Sequence, residues 1–177
     1  MISFIQNYLP LAVVVSHIIL AILILAIIFR RSWGREIFHF LGKNSIVLGL
    51  ITSLVAVVGS LFYSNIIGFL PCDLCWWQRI FIYPQLVLFI TALKFKERDI
   101  FKYSAVLSII AGIIALYHTY VQTGGNPLIP CSATASCTKV YVMAYNYVTI
   151  PTMSLTIVVT LLILAWTHKL YEKNRNA

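Results

Sequence analysis

Five apolar runs divide this chain, each near the roughly 20 residues a helix needs to cross a bilayer. They span about Leu9–Phe29, Ser45–Ile67, Trp76–Leu93, Tyr103–Val121 and Thr149–Trp166. Hydrocarbon offers no partner for backbone N–H and C=O groups, so runs of this length must close their own hydrogen bonds as helices. Composition agrees, at 60% hydrophobic and 10% charged residues against about 25% charged in soluble domains. The expected fold is therefore an all-α integral membrane protein. No Lys or Arg precedes the first run, whereas Arg30, Arg31 and Arg35 follow it. A cleavable secretory signal shows the reverse order, so this run reads as a permanent helix with its N-terminus outside.

The net charge of +8 invites a nucleic-acid reading, but the cations lie in short segments between apolar runs instead of on one basic face. Four fall in residues 30–44 against Glu36, four in residues 94–102, and Lys169, Lys173 and Arg175 close the chain. Eleven of the 13 therefore share one side of the membrane, Arg79 and Lys139 being the exceptions. The positive-inside rule makes that side cytoplasmic. Five crossings result, with the N-terminus out and the C-terminus in. Within the runs, Gly49 and Gly59 are expected as close-packing points. Ser16 and His17 should face neighbouring helices, and Pro84 should kink its helix or be absorbed by the helices around it.

This topology puts all four cysteines opposite the cytoplasm, where disulfides persist. Cys72 and Cys75 are separated by two residues, and Arg79 follows Cys75 by four, one turn away on the same helix face. A cysteine at a helix N-terminus feels the positive end of the dipole, which favours thiolate, while Asp73 opposes that shift. Cys131 and Cys137 form a second local pair. Four cysteines allow three pairings, and the spacing favours the two local ones. A bond across Cys72/Cys75 closes too small a loop to stabilise much, so that pair reads as redox-active. Cys131/Cys137 reads equally well as a loop staple. A four-cysteine zinc site fits poorly, because the second pair lacks zinc-ribbon spacing, and no metal is expected.

Arg79 lies just inside an apolar run and needs a partner or a purpose, snorkelling to the interface being the simpler account. Topology places His118 at the same depth, with Gln122 one turn beyond. A redox dithiol at a membrane must pass two electrons on, and the sequence carries no haem, iron–sulfur or nucleotide motif. The acceptor that needs the fewest further parts is a lipid-soluble quinone. Arg79 can polarise its oxygen, and His118 can hydrogen-bond it or deliver a proton.

The stretch Pro71-Cys72-Asp73-Leu74-Cys75-Trp76-Trp77-Gln78-Arg79-Ile80-Phe81-Ile82-Tyr83-Pro84 closely resembles the signature of the DsbB family of disulfide-forming membrane oxidoreductases. Tyr117-His118 with Gln122 resembles that family's motif at the end of its third core helix. Cys131 and Cys137, followed by Ile150-Pro151, resemble its second external loop and final helix, and the short gap between these cysteines is similar to the BdbC-like branch. The resemblance implies a four-helix transmembrane bundle over residues 45–168. An extra N-terminal transmembrane helix and cytoplasmic linker would occupy residues 1–44, and a cytoplasmic tail residues 169–177.

It further implies catalytic roles for Cys72, Cys75, Cys131 and Cys137, and quinone binding by Arg79, His118 and Gln122. A DsbA-like thioredoxin-fold thiol oxidase would attack the Cys131–Cys137 disulfide at Cys131. Released Cys137 would attack Cys72 and free Cys75 as thiolate. Electrons would leave from Cys75 to ubiquinone or menaquinone, and the Cys72–Cys75 bond would re-form. The location implied is the bacterial cytoplasmic membrane, with the redox loops on its outer side. Two rivals stand beside this reading. A vitamin K epoxide reductase-like enzyme has its loop cysteines ahead of the CxxC pair, and a non-enzymatic membrane protein would use two structural disulfides.

Overall fold

The computed structural model describes residues 2–29, 34–128, 131 and 136–175, with side chains from residue 11 onward. Its helices are α1 (Ile2–Ile28), α2 (Arg35–Leu61), α3 (Asp73–Phe95), α4 (Ile100–Gln122) and α5 (Ile150–Arg175). A π-helical turn, Phe62–Ile66, continues α2 without a break. Among the described residues there is no strand ladder, only an isolated bridge between Ala144 and Val148. Helices α1, α2, α4 and α5 each carry a stretch long and apolar enough to cross a membrane. Helix α3 has the length, 23 residues or about 34 Å at 1.5 Å per residue. It is less apolar because it bears Asp73, Gln78, Arg79 and Gln85, of which Gln78 and Gln85 are buried. The molecule is an all-α membrane bundle.

Helices α2, α3, α4 and α5 pack as a closed ring, each against the next and α5 back against α2. Helix α1 lies outside it, across α2 and α5. Apolar residues fill the end that carries the cations, where Phe89, Phe101, Leu161 and Leu164 meet. At mid-depth Ile82, Ala111 and Val158 pack together. Gln85, buried inside the ring, has its polar groups paired, as a low-dielectric interior favours. The Gln85 carbonyl oxygen accepts from Ser104 at 2.6 Å and from Ser108 at 3.3 Å, while its amide donates to the Phe81 carbonyl. Helix α3 runs through Pro84 as one element.

Helix α1 starts at Ile2 instead of Leu9, and two boundaries on the cation side differ most from the hydropathy reading. Helix α2 starts at Arg35, well ahead of Ser45, and α5 continues past Trp166 to Arg175. These extensions pack against one another. Gly42 leaves room only for the Tyr171 ring, His39 meets that ring edge-on at 5.3 Å, and Ser45 Oγ lies 2.7 Å from His168 Nδ1. Their apolar residues alternate with charged ones, so a hydropathy window averages them away. Arg30 and Arg31 lie outside the described residues. Gly49 is a close-packing point as expected, since a Cβ there would run into the Phe89 ring. Gly59 is not: a Cβ there would meet nothing within 4 Å. His17 does face a neighbour, Thr156 of α5.

Candidate redox site and its cavity

Cys72 caps the N-terminus of α3 in an extended conformation, and Cys75 follows in the first turn. The two sulfurs are unbonded and 2.9 Å apart. The capping position directs α3's free N–H groups and dipole toward Cys72, which favours its ionised form. Helix α4 brings His118, almost fully buried, to the same place, with Nε2 at 3.6 Å from Cys72 Sγ. On the other edge of the ring, Gln78 Nε2 lies 3.0 Å from His118 Nδ1. With the amide nitrogen donating to Nδ1, the ring proton sits on Nε2 and points at Cys72. The hydrogen bond from Cys75 brings the Cys72 thiol down to about 4 against the opposing effect of burial, and His118 adds to the lowering.

Arg79 does not snorkel freely. Its Nε donates to Ser60 Oγ at 2.9 Å and its terminal nitrogen to the Ser60 carbonyl at 3.2 Å. The Tyr83 hydroxyl donates to Ser60 Oγ at 3.0 Å. The guanidinium lies 5.1 Å from the Trp76 ring centre and 6.0 Å from that of Tyr83. Ser60 and two aromatic rings thus fix the cation where α2 faces α3.

Cys75, Gln78 and Arg79 open onto a cavity of about 450 Å³ between α2, α3 and α5, with mostly apolar walls. Gly59 lies in its wall, which explains the open space above that glycine. Phe69 stacks between Tyr63 and Tyr141, with ring centres 5.8 and 4.8 Å away, and all three border the cavity near the cysteines. Two hydroxyls in its lining, Tyr63 Oη and Ser154 Oγ, are buried without a hydrogen-bond partner. Buried polar groups are normally paired, so these donors suit a ligand that offers acceptor oxygens inside an apolar shell. A quinone, with two carbonyl oxygens on a flat apolar ring, has those features.

Cys131 and Cys137 are joined as a disulfide. Cys137 is buried in one apolar cluster with Cys72, Leu74 and Val121, against which Cys75 and Cys131 also pack. The second loop therefore brings its disulfide to the dithiol, with Cys131 the more exposed residue of the pair. Ser132 to Ala135 of the intervening gap lie outside the described residues. Gln122 points elsewhere. Its amide donates to the Lys139 carbonyl at 3.2 Å, two residues beyond Cys137, and it is not among the residues lining the cavity. That geometry makes it an anchor for the loop.

No four-cysteine metal site assembles, since one pair is closed. Ligand atoms of Cys72, Cys75 and His118 do lie within 4.8 Å of one another, a donor set of the type that zinc accepts. Gln78, Ser60, Tyr63 and Ser154 received no role from the sequence. Gln78 stood inside the quoted motif, but its partner is 40 positions away.

Comparison with known proteins follows the same residues. The family model described as "Disulfide bond formation protein DsbB" matches residues 42–168. The SPbeta prophage-derived disulfide bond formation protein B of Bacillus subtilis is 38% identical over 113 residues, covering 63% of this chain and 76% of that protein. Disulfide bond formation protein C of the same organism is 34% identical over 118 residues, 64% of this chain and 86% of the relative. A probable disulfide formation protein C of Halalkalibacterium halodurans is 36% identical over 126 residues, 68% and 90% of the two chains. No solved structure matches.

Proposed function

This chain belongs to the DsbB family of disulfide bond formation proteins, and on that premise we propose that it reoxidises a DsbA-like thioredoxin-fold partner and passes the electrons to a membrane quinone. Membership makes it a membrane oxidoreductase that generates disulfides. The observation that carries the finer reading is the cavity. Cys75 and Arg79 border it, and unpaired hydroxyls of Tyr63 and Ser154 lie in its wall. The CxxC pair precedes the loop pair here, opposite to the vitamin K epoxide reductase-like order. A pair of structural disulfides would not account for an unbonded dithiol set against a buried histidine.

The relay balances as two thiol–disulfide exchanges. A partner thiolate attacks Cys131, the more exposed residue of the pair, and Cys137 leaves as thiolate. The partner's second thiol then displaces Cys131, so the partner leaves oxidised. Cys137 attacks Cys72 in the Cys72–Cys75 disulfide and Cys75 departs as thiolate. Cys131 next attacks Cys137, which restores the loop disulfide and leaves Cys72 and Cys75 reduced. Exchange is fast when the leaving thiol has a low pKa, and His118 Nε2–H stabilises charge on Cys72. The quinone supplies the terminal acceptor for two electrons and two protons. Arg79, Tyr63 and Ser154 would hold its oxygens by hydrogen bonds and charge. We place the cysteine end outside the cytoplasm, in the bacterial inner membrane, on the cation asymmetry.

The test is quinone reduction by the purified full chain in detergent, fed by a reduced DsbA-like dithiol partner, with Cys75→Ser as control. Turnover that disappears in the control is expected. Arg79→Ala should lower quinone turnover by about 10–100-fold, the scale of losing one or two charge-assisted contacts, while leaving exchange with the partner unchanged. Failure of the wild-type protein to reduce ubiquinone or menaquinone analogues would sink the proposal.

A further inference from the structure

Helix α1 lies outside the family match, which begins at residue 42, yet it takes part in the site. Ala12, Val13 and Ser16 line the same cavity as Cys75 and Arg79. The helix crosses α2 and α5, the pair between which the cavity extends away from the cysteines. Its bulky residues point the other way: Val15, Ile18, Ile19 and Ile22 are exposed, as suits a face turned to lipid. Where α1 borders the cavity it presents Ala12, Val13 and Ser16, while Leu20, Ala26 and Ile27 are buried farther along the helix.

One polar contact holds this arrangement. The Thr156 hydroxyl donates to the Thr152 carbonyl at 2.9 Å, so its oxygen accepts from His17 Nε2–H at 2.7 Å. The other ring nitrogen, Nδ1, is then an acceptor and faces the Tyr147 hydroxyl at 3.4 Å. The His17 and Tyr147 rings are 5.8 Å apart. An apolar helix gains no hydrophobic driving force by leaving lipid for a bundle, so small-residue packing and interhelical hydrogen bonds decide where it docks. His17 supplies the bond, and Thr156 itself borders the cavity.

We propose that α1 is a built wall of the quinone cavity, pinned by His17, and that Ala12, Val13 and Ser16 set how much ring substituent and isoprenoid stem the cavity accepts. The inference rests on reading the cavity as the quinone site. Without α1 the groove between α2 and α5 would open directly to lipid; with it, the quinone is enclosed on that flank as well.

The experiment measures quinone binding apart from turnover. A benzoquinone bearing a short isoprenoid chain is titrated into the full chain in detergent and followed by quenching of tryptophan fluorescence. Ala12→Phe and Ser16→Phe fill the cavity and should weaken binding at least ~10-fold, about 1.4 kcal/mol. Ile18→Phe and Ile19→Phe, on the lipid face, should bind as wild type. His17→Ala should weaken binding in the same direction. Absence of binding to the wild-type protein overturns the quinone reading itself. Wild-type binding with unchanged affinity in both inward variants overturns the α1 wall alone, as does equal weakening by inward and outward variants. Should the substituted chains fail to fold, a photoactivatable quinone on the wild-type chain decides the matter. Label within residues 11–17 is expected, and label confined to α2, α3 and α5 overturns the wall.

Discussion

A thiol reacts as its thiolate, so the groups around Cys72 govern how the dithiol behaves. Its neighbours act through hydrogen bonds, the Cys75 thiol first and His118 second. Reduced Cys72 is accordingly expected to stay ionised far below the ordinary thiol range and to protonate only near pH 4. Because this pKa is lowered in the folded state, the interaction contributes stability above the unfolded thiol's pKa. That contribution shrinks below it and is lost as pH falls through the folded value. Thiolate absorbance near 240 nm, followed from pH 9 to pH 3, should show this late titration. Cys75→Ala should move the midpoint up, and Gln78→Ala by less, since the latter only frees the His118 ring. A midpoint near the usual thiol range in the wild-type protein would refute this account. The sequence singles out the cysteines, Arg79 and His118 as candidates because their chemistry and spacing are local. It does not single out Gln78, Ser60 and Ser154, because a polar residue on an apolar helix discloses its partner only once the helices are packed. For the same reason the sequence could not show that the Gln122 amide donates to the Lys139 carbonyl.

At the level of elements, two glycines of α2 separate packing from cavity. Gly49 faces the Phe89 ring, and an added Cβ would overlap it. Gly49→Ala is expected to destabilise the bundle by about 1–3 kcal/mol, the usual cost of overpacking. Gly59→Ala places its methyl in open cavity space and replaces a poor helix former, so the fold should tolerate it or gain slightly. Thermal unfolding of both variants in detergent tests the pair; equal destabilisation would mean that the cavity wall is packed there. Sequence spacing treated these glycines alike, since each sits in the same apolar run. The runs themselves located every helix, because length and apolarity alone decide what can cross a bilayer. They failed at the ends that leave it. There, α2 and α5 gain their extra turns from contacts with each other, Gly42 and His39 with Tyr171, and Ser45 with His168.

Over the whole molecule, chemistry and charge occupy opposite ends. The cysteine loops and the aromatic stack of Tyr63, Phe69 and Tyr141 cover one end. At the other, Arg98 and Arg175 both bond Glu172 at 2.7 Å, tying the α3–α4 turn to the tail of α5. Exposed pairs of this kind contribute about 1 kcal/mol or less, so their value lies in orientation more than in stability. Loop cations resist translocation, and nine of the 11 cations among the described residues lie toward this end. The proposed relay requires that orientation, because a disulfide donor facing the cytosol would work against its reducing thiol pool. A fluorescent protein fused after residue 177 should therefore glow in a bacterial host, while an alkaline phosphatase fused at the same point should stay inactive, lacking its own disulfides. A phosphatase inserted after Lys139 should be active. The opposite pattern would put Cys72, Cys75, Cys131 and Cys137 on the cytosolic side. The site could then still hold a quinone, but its electrons would not come from proteins being oxidised outside the cell.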